Sequence, residues 1–115
     1  MRLRLTLALL IAAAPVAAQT PSAAAQREAQ EILAEMVSLN TSLQRGDVTP
    51  LAEELAARFR KAGVPAADIQ LIGPETKNRN LVVRIRGKGS AKPVLFLAHL
   101  DVVDALRADW SLEPF

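Results

Sequence analysis

Ten residues near the end of the chain constrain it most: Val94-Leu95-Phe96-Leu97-Ala98-His99-Leu100-Asp101-Val102-Val103. An apolar run continues without a polar break, and a histidine and an aspartate follow, two positions apart. A strand without alternation is one buried on both faces, as a central strand of a sheet is. Val94–Ala98 is therefore expected to be an interior strand, and the rest of the chain must supply what covers it. Residues two apart in an extended chain point to the same side. That brings His99, the only histidine, and Asp101 together at the strand's end.

The preceding sequence reads as scaffold. Ala29, Ile32, Leu33, Met36 and Val37 recur at three- and four-residue spacing, which predicts a helix from Gln26 to about Ser38–Asn40 with one apolar face. Gly46-Asp47 is a turn signal. A second helix is expected from Thr49-Pro50. Thr49 can cap free amides there, and Pro50 suits a first-turn position that needs no N–H. Glu53 and Glu54 lie toward its start and Arg58, Arg60 and Lys61 toward its end, matching the helix dipole. Gly63 is the stop and Pro65 prevents continuation.

Asp68–Ile72 is a short strand candidate. Leu81, Val83 and Ile85 alternate with Val82, Arg84 and Arg86, the period-two pattern of a second strand. Gly87-Lys88-Gly89-Ser90-Ala91-Lys92 is a connection long enough for an antiparallel return. It lacks the Walker pattern of a phosphate loop. The order helix, helix, strand, strand, strand places the chain in the α/β class.

The first residues have the form of a targeting segment. Arg2 and Arg4 are a basic start, Leu5–Ala14 is apolar, and Pro15 breaks the run. Val16-Ala17-Ala18 then offers small residues for cleavage before Gln19. Residues 1–18 are thus expected to be a signal peptide, 19–25 a flexible lead-in and 26–115 the folded part. The apolar run falls short of the roughly 20 residues a membrane span needs, so no membrane span is expected after cleavage. An exported, periplasmic or secreted protein follows.

The leader holds two arginines and no acids. Of the 14 basic and 12 acidic residues, the mature part keeps equal numbers of each. Nothing in it forms the clustered basic patch of a nucleic-acid interface. There is no cysteine, which excludes disulfides and thiolate metal sites.

The His-x-Asp triplet permits two chemistries. A carboxylate that accepts one ring N–H leaves the other nitrogen for a metal. The same pair can instead make His99 a general base oriented by Asp101. That second reading needs a serine or threonine nucleophile, and no nucleophile-elbow pattern is present. A third reading is a small exported α/β binding or interaction module in which His99 is structural.

The wider sequence adds a resemblance. Asn80-Leu81-Val82-Val83-Arg84-Ile85-Arg86-Gly87, Pro93 through Val103, and Trp110-Ser111-Leu112-Glu113-Pro114-Phe115 look like the start of a known catalytic domain. It is that of the zinc-dependent aminoacylase and carboxypeptidase family (metallopeptidase family twenty). Acetylornithine deacetylase, succinyl-diaminopimelate desuccinylase and glutamate carboxypeptidase belong to it. The resemblance covers most of the mature chain and is most specific over residues 80–115.

It implies a three-layer zinc-exopeptidase-like domain with a mixed sheet, incomplete in this chain. It implies His99 as a ligand of a two-zinc centre, with other divalent metals able to substitute, and Asp101 as the catalytic-site carboxylate that orients His99. Trp110, Pro114 and Phe115 match a segment near the family's active site, and packing is the role expected of them. Many members carry proline after Asp-Val-Val, where this chain has Asp104. That departure leaves subgroup and substrate open, and Asp104 is read as a loop carboxylate.

The bridging aspartate, the Glu-Glu pair, a further acid and a distal histidine lie, in the family, beyond the position matching Phe115. The chain is therefore expected to be the N-terminal part of a longer metallohydrolase acting on peptides or N-acylated amino acids, and inactive alone. An inserted dimerisation domain, and with it a homodimer, is implied for the complete protein.

Overall fold

A computed structural model describes residues 20–44, 46–73 and 76–115. The expected signal peptide, residues 1–18, lies outside the described residues. Two helices and a two-stranded antiparallel sheet form a small mixed α/β unit. Among the described residues no helix is long and apolar enough to cross a membrane.

The first helix, α1, spans Ala23–Ser38. It begins three residues before the expected Gln26, so the lead-in is shorter than expected. The cause is Ser22, whose hydroxyl accepts the Ala25 amide at 3.2 Å and satisfies one of the free first-turn donors. None of its residues is fully buried. Ile32 and Met36 are half-buried, while Leu33 and Val37 stay exposed. An ion pair from Arg58 to Glu35 links α1 to the next helix.

That helix, α2, spans Thr49–Lys61 with Pro50 in its first turn. The expected role of Thr49 as its cap is corrected. Thr49 is itself the first helical residue, and its amide is accepted by Asp47 Oδ1 at 2.8 Å. The buried Thr49 hydroxyl donates to the Thr76 carbonyl at 3.3 Å and accepts the Arg79 amide at 3.2 Å. Asp47 Oδ1 also accepts the Asn78 amide at 2.9 Å. These two amides hold the Asp47 carboxyl below the usual carboxylate range. Glu53 and Glu54 fall in the second turn, whereas Arg58, Arg60 and Lys61 occupy the last, as expected. The helix stops at Gly63, whose φ of 90° suits a residue without a Cβ.

The sheet pairs β1 (Ile69–Ile72) with β2 (Asn80–Val83), Ile69 opposite Val83 and Leu71 opposite Leu81. A 3-10 turn over Ala66–Asp68 takes the place of the expected start of the first strand. Ile69, Leu71, Leu81 and Val83 are the more buried residues of their strands and share one face. α2 packs on the hairpin. Its Ala52 and Ala56, both fully buried, allow a close approach. Leu51 and Ile69 complete a small apolar core.

One buried charge sits at the edge of this core. Asp68 is 3 % exposed and receives Arg86 in a bidentate pair, both bonds 2.8 Å. Arg84 Nη1 stands 3.6 Å away. The Arg86 hydrogen bonds, reinforced by both guanidinium charges, hold the Asp68 carboxyl below its ordinary value. A lowered native pKa means that the unfolded chain takes up the proton first. Asp68 therefore contributes stability above the ordinary carboxylate range, about pH 4, and loses it as the pH falls through the native pKa. Asp68→Asn should have a lower urea midpoint than the parent at pH 7, and the two should converge on acidification below about pH 4. A gap that stays constant with pH would refute the assignment.

The expected central strand Val94–Ala98 is a second correction. It belongs to no ladder, and Val94, Leu95, Phe96 and Leu97 are 77–92 % exposed. Burial on both faces requires a neighbour at each edge and a covering layer. Among the described residues the hairpin ends before this run, and no strand pairs with it. Beyond the hairpin, the C-terminal segment makes a parallel bridge between Val102 and Ser42, where the Val102 amide donates to the Thr41 carbonyl at 3.4 Å.

Candidate functional site

That bridge anchors the segment carrying His99 and Asp101 beside the end of α1. Thr41 and Ser42, which hold it, are buried. The sequence reading gave these two residues no role, since two small polar residues in a turn carry no pattern. Among the described residues the buried Ser42 hydroxyl has no hydrogen-bond partner, so it does not form a serine–histidine pair with His99.

His99 Nδ1 lies 2.7 Å from the main-chain carbonyl oxygen of Asp101 and 3.5 Å from its Oδ1. The expected partner of the ring was the carboxylate, and the short contact goes to the backbone. A carbonyl oxygen only accepts, so this hydrogen bond places the proton on Nδ1. In the neutral ring Nε2 then carries the lone pair, as a metal ligand or general base requires. The His99 side chain is 83 % exposed and that of Asp101 54 %. The pair is open to solvent and to a ligand.

Two cavities meet at this pair. The larger, of about 400 Å³, lies between α1 and residues 99–115 and is walled by Leu33, Met36, Val37, Trp110 and Phe115. The smaller, of about 340 Å³, is bordered by Leu43, Gln44 and Asp104. His99 and Asp101 border both. Asp104, read from sequence as a loop carboxylate, is half-buried and also reaches both cavities.

Trp110 and Phe115 were expected to pack. Both line the larger cavity, where Phe115 is half-buried and Trp110 remains 55 % exposed. Arg107, in a 3-10 turn over Arg107–Asp109, braces this wall. It donates to the Trp110 carbonyl at 2.6 Å and pairs with Glu113 at 3.1 Å.

The donor set can be tested against the zinc that the resemblance implies. A catalytic zinc takes three protein ligands and keeps one position open. Nε2 of His99 has the right chemistry and exposure for one of them. Among the described residues no group of three histidine, cysteine, aspartate or glutamate side chains could hold a metal ion. His99 and Asp101 thus fit one corner of such a site and do not close it. No protein-family model matches the chain, and comparison with curated proteins and with solved structures finds no match to it either.

Proposed function

We propose that this chain is the N-terminal part of the catalytic domain of an exported, metal-dependent hydrolase that cleaves amide bonds of peptides or N-acylated amino acids. His99 is a metal ligand and Asp101 orients it. In the complete domain, a three-layer zinc-exopeptidase-like fold, Val94–Ala98 gains neighbours and becomes an interior strand.

One observation carries the reading. The sole imidazole has its Nδ1 proton committed to the Asp101 carbonyl, which leaves the Nε2 lone pair free on a residue that lines a largely apolar cavity. A ligand histidine usually donates its other ring N–H to a carboxylate, carbonyl or water, which fixes its tautomer and direction. A divalent metal there would polarise the scissile carbonyl and activate a water. The chain's own part is to hold the imidazole in the ligating tautomer and to place it beside the cavity.

Zinc titration of the complete protein by calorimetry tests the pair. Asp101→Ala keeps the main-chain acceptor and removes the carboxylate. Its zinc affinity should fall by only part of the about 10- to 100-fold that loss of a whole orienting partner costs, because the main-chain carbonyl still holds Nδ1. Unchanged affinity would remove the carboxylate from the site.

A further inference from the structure

The larger cavity is distinctive in the distribution of its lining. Its long walls are aliphatic and aromatic: Leu33, Met36 and Val37 on α1, with Trp110 and Phe115 opposite. The titratable side chains that line it, His99, Asp101 and Asp104, come from one short stretch of chain. Among the described residues no lysine or arginine lines it. Its volume of about 400 Å³ lies within the range of small-molecule sites, about 300–1,000 Å³.

We infer that this cavity seats the side chain of the substrate and selects bulky apolar residues, such as leucine or phenylalanine, over acidic ones. This rests on the hydrolase reading above, and it specifies the substrate class of that same site. An apolar side chain laid along α1 covers Leu33 and Val37, which are otherwise exposed to water, and its amide then falls at the His99 end. A carboxylate side chain in the same place would lose its hydration against apolar walls. Among the described lining residues it would find no lysine or arginine to compensate, and the Asp101 carboxylate would repel it.

Size matters as well as charge. An alanine side chain leaves most of the cavity unfilled, and each missing methylene in an apolar pocket reduces binding by roughly 10-fold or more.

Trp110 is the only tryptophan and stands in the cavity wall, so its emission reports occupancy directly. The experiment titrates the chain, with chelator present, with N-acetyl-L-phenylalanine, N-acetyl-L-alanine and N-acetyl-L-glutamate. The phenylalanine compound should shift the emission and bind about tenfold or more tighter than the alanine one, with the glutamate compound weakest. Val37→Glu places a charge in the wall at a half-exposed helix position where folding tolerates it. It should abolish the preference while the far-ultraviolet spectrum stays that of the parent.

Equal affinities for the three compounds, or a preference untouched by Val37→Glu, overturns the inference. So does an emission shift that follows protein concentration without ligand, since a second copy would then fill the cavity. The measurement is made without metal, and failure of zinc binding at His99 is read separately from failure of the apolar seat.

Discussion

On the proposed hydrolase reading, replacing His99 by alanine in the complete protein should reduce chelator-sensitive amide hydrolysis to background. His99 is the one histidine of these 115 residues, so the corner of the proposed metal centre that they build has no other imidazole donor. Nor can the Asp101 carboxylate replace it, because removing the imidazole removes the one donor whose tautomer is fixed toward the open side. Structural damage does not explain the loss in advance. The ring is 83 % exposed, and its hydrogen bond is to a residue two positions away. His99→Ala should therefore unfold at the same urea concentration as the parent, since surface changes of this kind stay within about 0.5 kcal/mol.

Zinc added back after chelation should restore the parent and leave the variant inactive. Retained activity in His99→Ala would end the metal-ligand assignment. Inhibition by a serine-directed reagent, with no response to chelator, would instead make His99 a general base.

The second large effect concerns stability. Leu51→Ala should destabilise the fold by about 2–5 kcal/mol, the usual cost of emptying a leucine site. Small domains have only about 5–15 kcal/mol in total. Leu51 is 2 % exposed and is the largest aliphatic side chain among the buried core residues apart from Ile69. Its neighbours Ala52 and Ala56 are too small to collapse into the space. On α1 the corresponding change, Val37→Ala, should cost far less, because Val37 is already half-exposed. Urea midpoints of the two variants decide the matter. Equal losses would show that α1 shares the core as fully as α2 does.

The contrast between the two helices shows what was legible in the residues themselves. Pro50 and Gly63 bracket α2 with strong backbone preferences, and both of its ends lie where those preferences put them. α1 began earlier than its apolar spacing indicated, since Ser22 is a cap hidden in a run of small residues. The hairpin followed its alternation as far as Val83. Asp68 and Arg86 gave no warning, because 18 positions separate them and only the folded hairpin brings them together.

Val94–Leu97 shows a different limit. An unbroken apolar run states what environment a strand needs, and nothing in it states whether the neighbours are at hand. At the site, spacing placed His99 beside Asp101. The choice between carboxylate and carbonyl as acceptor depends on local backbone geometry, which spacing does not encode.

The core described above also sets an order of events in time. Leu51, Ala52, Ala56, Asp68 and Ile69, the Arg86 that pairs with Asp68, and both strands lie within one continuous stretch, residues 49–86. Contacts of such short sequence separation form early, since little loop entropy opposes them. α2 and its hairpin can thus assemble before His99 has left the ribosome, as early-synthesised units do. The segment bearing His99 then arrives at a surface already built, with the Thr41–Ser42 turn as its landing point.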